Sequence, residues 1–268
     1  MPASSELDHI AIVLVNTRNP LNIGAAARAM SNFGFFDLRV VNPYEASFRE
    51  ARSAVGAAEV LGAAREFSSV AEAVADCALV VGTTAAGRRE LQHLLRSLDQ
   101  AAPFIARQSR RAGTAILFGS EKRGLSNEDL SHCHWLLRIP TREEHGSMNL
   151  GQAVAVCVYE LARQMMKPRG SKPAPPVKAG AKSRLPSKTA KPEGSDPAKA
   201  EDLERITLLL LEALRLSGYI RTPISETDPS ALADEKIRRM VRRLNLSTDD
   251  AEAWLGMLRQ MIWKMQKS

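Results

Sequence analysis

Short apolar runs alternate with segments of helical periodicity through residues 8–166. Ile10 to Val15 is an apolar run rich in β-branched residues, followed by the polar turn NTRNP, which predicts a strand leading into a loop. The next stretch, NIGAAARAMSNFG, reads as a helix. Asn22 is a capping residue type, the alanines favour helix, Ala26, Ala29, Met30 and Phe33 can face a sheet, and Gly34 closes the segment. Asp37 to Val41 predicts a second strand stopped by Asn42 and Pro43, and Ala46 to Leu61 a helical region interrupted by Gly56. A helix around Ser69 to Ala75, a strand from Ala78 to Val81 and a helical region from Glu90 towards Arg111 repeat the pattern. Thr114 to Phe118 and Trp135 to Ile139 predict two more strands. In HGSMNLGQAVAVCVYEL, from His145 to Leu161, Ser147 and Asn149 are capping types, and Val154, Val158 and Leu161 recur at helical spacing behind them. The stretch is read as a buried helix whose polar N-terminus faces a pocket, against the alternative of an ordinary capped core helix, which the stretch taken alone would favour. Strands alternating with helices imply an α/β domain with a largely parallel sheet covered on both faces.

Beyond residue 200 the period is helical throughout. Leu203, Ile206, Leu210 and Leu214 mark one apolar face, Ile237, Met240, Val241 and Leu244 a second, and Leu255, Leu258, Ile262 and Met265 a third. The chain thus reads as a domain over 1–166, a linker over 167–200 and a small helical domain over 201–268. On the second of these helices Lys236, Arg239 and Arg243 share a face, with Arg238 and Arg242 beside it. That stripe is read either as a solvated face or as an RNA-backbone contact.

Charge sharpens the division. The whole chain carries +7, and between Lys167 and Ala200 nine Lys and Arg stand against Glu193 and Asp196, so the rest of the chain sums to zero. The linker is rich in Pro, Lys, Ala, Ser and Gly and lacks large apolar residues, so burial cannot offset the entropy of folding it. It is either a solubilising tether or a sequence-independent arm for a polyanion.

The 268 residues, 44% of them hydrophobic, suffice for one ample core and a smaller second unit. No apolar run approaches the length needed to cross a bilayer, and MPASSELDHI lacks the pattern of a signal peptide, so a soluble cytoplasmic protein with no membrane partner is expected. Cys77, Cys133 and Cys157 are odd in number and far apart, which suits reduced core thiols. His132, Cys133 and His134 are contiguous and have no partner pair at a usable spacing, so no metal site is expected.

In parallel sheets ligands bind outside the carboxyl ends of the strands, where four loops fall: NTRNPLNIG, GTTAAGRR, GSEKRGLSNEDL and PTREEHGSMN. The G-x-G-x-x-G of a dinucleotide-binding fold is missing after the first strand. Gly82 and Gly87 have the glycine spacing of a phosphate-binding loop, but Arg88 and Arg89 stand where Lys and Ser or Thr are needed.

Three stretches, NIGAAARAM from Asn22, FGSEKRGLSNE from Phe118 and IPTREEHGSMNL from Ile139, resemble the ordered motifs of the SpoU branch of the SPOUT RNA methyltransferases. Each follows a predicted strand, and together they cover most of residues 8–166. Within that branch the chain is most similar to the TrmJ type of tRNA 2′-O-methyltransferase, whose C-terminal extension is matched by DLERITLLLLEALRLSGYI and KIRRMVRRL. The resemblance implies a SPOUT-type parallel sheet with a C-terminal trefoil knot, a connection otherwise nearly absent from proteins. It implies a homodimer in which the partner helps complete the active site. It also implies methyl transfer from S-adenosylmethionine to a tRNA ribose 2′-hydroxyl, leaving S-adenosylhomocysteine, with the target a pyrimidine at position 32, the start of the anticodon loop. A ribosomal RNA methyltransferase on the same knot, or a non-catalytic RNA-binding module, are the alternatives.

The resemblance places the cofactor among Thr83, Thr84, Ala85, Gly119, Gly124, Leu125, Ile139, Ser147, Met148 and Asn149. Leu125, Ile139 and Met148 supply the apolar slot that an adenine ring needs. It makes Arg28 a functional residue, at the N-x-G-x-x-x-R spacing from Asn22. A guanidinium stays protonated, so Arg28 is read as a clamp on the target phosphate and a stabiliser of the developing alkoxide, against the alternative of a solvated helix residue. Asn22 is expected to orient the first motif, Glu121 to fix the Gly119–Gly124 loop, and Ser147 and Asn149 to hydrogen-bond cofactor or 2′-hydroxyl. Arg18, Arg88, Arg89, Lys236, Arg239 and Arg243 are the candidate RNA contacts.

Overall fold

The computed structural model describes residues 7, 9–43, 57–85, 92–142, 147–166, 196–221 and 231–267. Seven strands form one sheet in the order β3-β2-β1-β6-β4-β7-β5. They are β1 (Ile10–Val15), β2 (Leu38–Val41), β3 (Arg65–Phe67), β4 (Leu79–Thr83), β5 (Leu95–Ser97), β6 (Thr114–Phe118) and β7 (Trp135–Arg138), and every neighbouring pair is parallel. Helices fill the connections: α1 (Pro20–Phe33), α2 (Ala58–Ala63), α3 (Val70–Ala73), α4 (Leu98–Ser109), α5 (Asn127–Ser131) and α6 (Leu150–Met165).

The alternation of side chains along β1 divides the core. Ile10, Ile12 and Leu14 point to one face, where they join Ile23 and Met30 of α1, Ile105 of α4 and Leu161 of α6. Ala11, Val13 and Val15 point to the other, against Val70 and Val74 around α3 and Leu130 and Cys133 around α5. All six β1 residues are buried, which is why the run reads as continuously apolar. The helix α1 begins one turn earlier than expected. Asn19, not Asn22, is its cap, accepting Leu21 N–H at 3.0 Å, with Pro20 in the first turn, and this frees the Asn22 side chain for other work. Gly34, at φ +80°, closes α1 in the left-handed conformation. Where a Cβ would sit on Gly151, Ala25 lies 2.7 Å away, so α1 and α6 touch because position 151 has no side chain.

β3 and β5 were not expected. Each has three residues, too short for an alternation to register, and each lies at a sheet edge. Leu95–Ser97 falls inside the region expected to be helical, which begins only at Leu98. Residues 44–56, which carry most of the helical region expected over Ala46 to Leu61, lie outside the described residues.

The C-terminal helices are α7 (Ala200–Leu216), α8 (Ala231–Arg243) and α9 (Thr248–Met265), with a core of Leu203, Ile206, Val241, Ala251, Leu255 and Leu258. Residues 167–195 of the expected linker lie outside the described residues. Its last five are built into the helical unit, where Ala198 N–H donates to Leu246 O at 3.0 Å. The unit docks on the sheet domain: Ala200 N–H donates to Cys77 O at 2.8 Å and Glu201 N–H to Ala75 O at 3.0 Å.

The basic stripe of α8 takes part in this docking, and the candidate RNA contact Arg239 is turned into it. Arg239 is 8% exposed and donates to Gln92 Oε1 at 2.7 Å. Arg238 reaches Glu204 at 3.1 Å and Ser131 Oγ at 3.0 Å. Arg242 is fully buried, donating to Glu204 Oε2 and Ala200 O at 3.1 Å each, and burial draws its pKa down to about 10. A buried guanidinium needs such partners, because desolvating a cation costs several kcal/mol, about as much as a small domain has in reserve. Lys236 and Arg243 remain exposed.

Candidate active site

Two cavities open side by side at the carboxyl ends of the strands, where residues from all three motifs meet. The smaller, about 360 Å³, is walled by the end of β4, the loops after β6 and β7, and the start of α6. Its β4 wall is pinned by neighbouring strands. Thr83 Oγ1 donates to Leu117 O at 2.8 Å, and Thr84 N–H continues the sheet by donating to Leu137 O at 2.9 Å.

The loop after β6 closes on itself. Gly124 N–H donates to Ser120 O at 2.8 Å, Arg123 N–H to Ser120 Oγ at 3.3 Å, and Gly124 takes φ +68°. Gly119 is packed so tightly that a Cβ would lie 2.0 Å from the carbonyl carbon of Gly124. Thr83, Thr84, Ala85, Gly119, Gly124, Leu125, Ile139, Ser147 and Met148 all line this cavity, together with Leu137 and Leu150. An apolar slot bordered by the hydroxyls of Thr83, Thr84, Ser120, Thr141 and Ser147 and by peptide groups fits an adenosyl group, which offers a flat apolar ring and polar edges.

Asn149 has a different place. It caps α6, its Oδ1 accepting Gln152 N–H at 3.3 Å, and its Nδ2 donates to Asn22 Oδ1 at 2.8 Å. Asn22, 7% exposed, in turn donates through Nδ2 to Glu121 Oε1 at 2.8 Å. The orientation of this relay is forced. A backbone N–H can only donate, so Asn149 must turn its oxygen to Gln152 and its amide nitrogen to Asn22, and Asn22 must then turn its own nitrogen to Glu121. One hydrogen-bonded line therefore ties together the first helix, the loop after β6 and the last helix of the sheet domain.

The larger cavity, about 850 Å³, lies on the Asn22 side of that loop. Arg18, Asn22 and Glu121 line it, and residues 120–124 form a wall common to both cavities. Lys122 and Arg123 belong to that wall and were missed in the sequence, although both stand inside the quoted second motif. Arg28 lies on the exposed face of α1 and lines neither cavity of its own chain. Arg88 and Arg89 lie outside the described residues.

His132 and Cys133 are buried within the fold and His134 is half-buried. His134 Nδ1 accepts Val80 N–H at 3.1 Å, and burial lowers the pKa of His132 to about 2 and of His134 to about 3 while raising the Cys133 thiol. Among the described residues no three His, Cys, Asp or Glu side chains are grouped to hold a metal ion, and no helix is long and apolar enough to cross a membrane.

Comparison with known proteins matches residues 9–159 to the SpoU rRNA Methylase family. The chain is 33% identical over 253 residues to the tRNA (cytidine/uridine-2′-O-)-methyltransferase TrmJ of Yersinia enterocolitica, covering 94% of this chain and 91% of that one. It is 39% identical over 165 residues to the tRNA (cytidine/uridine/adenosine-2′-O-)-methyltransferase TrmJ of Pseudomonas aeruginosa, covering 61% and 64% of the two chains. The crystal structure of TrmJ from Z. mobilis ZM4 is similar with a TM-score of 0.73 and 31% identity, over 94% of this chain and 98% of that one.

Proposed function

The chain belongs to the SpoU methylase family, and from that membership we propose that it is an S-adenosylmethionine-dependent tRNA 2′-O-ribose methyltransferase, cytoplasmic and active as a homodimer. The observation that carries this reading is the Asn149–Asn22–Glu121 relay, which ends at Glu121 in the wall of a cavity of adenosyl-compatible shape and chemistry. The likeness to tRNA-modifying relatives extends through the helical C-terminal unit, beyond the part shared with the family as a whole.

When bound, the cofactor supplies an activated methyl on a sulfonium, which becomes a neutral thioether as the methyl leaves. A group that loses charge in the reaction needs positioning more than electrophilic help. Thr83, Thr84 and Ser147 would hold the polar edges of the adenosyl group, and Leu125, Ile139 and Met148 its ring. The larger cavity receives the acceptor ribose. Glu121, fixed by Asn22, keeps the wall between donor and acceptor in place.

The 2′-hydroxyl must lose a proton as its oxygen takes the methyl, and the adjacent phosphate is the base that receives it. Arg28 clamps that phosphate and stabilises the developing alkoxide, working from the partner protomer. Leu21, 80% exposed, shares a face of α1 with Ala25 and Arg28, and next to it α6 exposes Val156 and Tyr159. Pairing this apolar face with a second copy covers it and carries Arg28 out of its own chain to the neighbouring cavity. The target is a pyrimidine at position 32, the start of the anticodon loop.

The family description favours a second substrate class, ribosomal RNA. Transfer of labelled methyl to total tRNA and, separately, to ribosomal RNA, followed by nuclease digestion, decides between them. A 2′-O-methyl group blocks cleavage at its own phosphate, so the product survives as a resistant dinucleotide that reports its neighbours. Label in an anticodon-loop pyrimidine supports the proposal. Label only in ribosomal RNA keeps the chemistry and overturns the substrate.

A further inference from the structure

From the wall between the two cavities we infer that Lys122 and Arg123 form, with Arg18, a seat for the RNA phosphates that flank the target ribose. This rests on the proposed RNA substrate and adds to it the groups that hold the backbone at the point of reaction. Three cationic side chains, Arg18, Lys122 and Arg123, line the larger cavity against two carboxylates, Glu121 and Asp129, so its lining carries a net charge of +1. Glu121 accepts Asn22 Nδ2 at 2.8 Å, and Asp129 accepts the backbone N–H of Ser126 at 2.8 Å as part of the α5 capping box. The cavity is therefore biased towards an anion.

The chemistry of the acceptor sets where that anion must lie. A ribose 2′-hydroxyl is on the carbon next to the one bearing the 3′-phosphate, so a site that presents the hydroxyl to the donor must also take a phosphate beside it. Lys122 and Arg123 are placed for this because they line both cavities. They are also held on a stiff loop, closed by the Gly124 N–H to Ser120 O bond and by the backbone contact of Gly119 with Gly124. A phosphate bound there is registered against the donor pocket rather than against a mobile surface side chain.

The test is filter binding of labelled total tRNA, without cofactor, over a salt series, for the wild type and for the uncharged variant K122Q/R123Q. Each lost phosphate contact lowers the slope of log K against log salt by about 0.7–0.9, so the variant should lose about 1.4–1.8 in slope. The charge-keeping variant K122R/R123K should retain the wild-type slope. An unchanged slope in K122Q/R123Q overturns the seat, and so does an equal loss in both variants, because charge is then not the cause. Methyl transfer by the wild type is scored separately. A wild type that methylates tRNA while the slope is unmoved refutes the seat and leaves the function standing. A slope that falls as stated with no methylation of any RNA refutes the function and leaves the seat.

Discussion

The side-chain nitrogen of Asn149 donates a 2.8 Å hydrogen bond to the side-chain oxygen of Asn22, across 127 positions of sequence. Asn22 passes the constraint on to Glu121, so the acceptor side of the wall is fixed from the far end of the domain. Replacing Asn149 with Ala removes the α6 cap and leaves the 7%-exposed Asn22 without its donor. An unpartnered buried polar group costs about 1–3 kcal/mol, so the turnover number of N149A on tRNA should fall by about tenfold to a hundredfold. Cofactor affinity, measured by calorimetry, should change far less, since Asn149 is not among the residues lining the cofactor cavity. A cofactor affinity that falls in step with turnover would place Asn149 in the donor pocket instead.

Gly119 has no room for a side chain. In G119A the new Cβ would meet the Gly124 carbonyl carbon at 2.0 Å and Leu125 N at 2.2 Å, so the loop must open. Overpacking of this kind costs about 1–3 kcal/mol, and because the strain falls on the cavity wall, cofactor binding should weaken by at least about tenfold. The control is G62A, in α2, where nothing lies within 4 Å of the added carbon. That change should raise stability by about 0.5–1 kcal/mol, seen as a higher Tm, because alanine has less chain entropy to lose.

Arg28 tests the shared active site. In the proposed dimer R28A abolishes methyl transfer but keeps cofactor binding. A second variant, M148R, blocks the donor cavity and keeps Arg28. Mixing the two inactive proteins should restore activity, since a mixed dimer holds one intact cavity facing one intact Arg28. No recovery after verified subunit exchange means that Arg28 serves its own chain.

The strands that carry the site were legible because each is a buried apolar run, and the loops because they hold glycines and polar residues directly after those runs. The family resemblance brought Thr83, Thr84, Ala85, Gly119, Gly124, Leu125, Ile139, Ser147 and Met148 to the lining of the smaller cavity, but not Asn149. The relay was not legible, since Asn22, Glu121 and Asn149 are 99 and 127 positions apart and nothing local records that they meet. Nor was the fate of the α8 stripe. Helical periodicity separates a charged face from an apolar one, but Glu204 and Gln92, which meet that face, come from α7 and from the segment before β5.

Glu204 should matter to stability out of proportion to one carboxylate. It accepts from both Arg238 and Arg242, the latter fully buried. Removing it in E204A leaves two guanidinium groups with reduced compensation, a change that costs about 3–5 kcal/mol in buried pairs. At about 2–4 °C per kcal/mol for a chain of this size, Tm should drop by about 6 °C or more. A drop of about 1 °C would show that water replaces Glu204 and that the cluster is open.

Acid should destabilise the fold well above the range where carboxylates titrate. His132, His134 and His93 have pKa values lowered by burial to about 2, about 3 and about 4, with Arg238 and Arg242, Arg242 alone, and Arg239 and Arg243 respectively adding to the shift. Below about pH 6.5 the unfolded chain binds protons at these positions and the folded chain does not, so stability falls as pH falls. Each histidine contributes up to about 1.4 kcal/mol per pH unit in that range, and nothing above it. Thermal unfolding measured at about pH 8.5, 7.5 and 5 should show Tm nearly level, as far as these histidines set it, over the first step and falling over the second. The variant H132Q removes one titrating group and should flatten the second step by that group's share. A Tm that holds level down to about pH 5 would mean that these histidines protonate in the folded state, and that the contact between the α8 stripe and the sheet domain admits water.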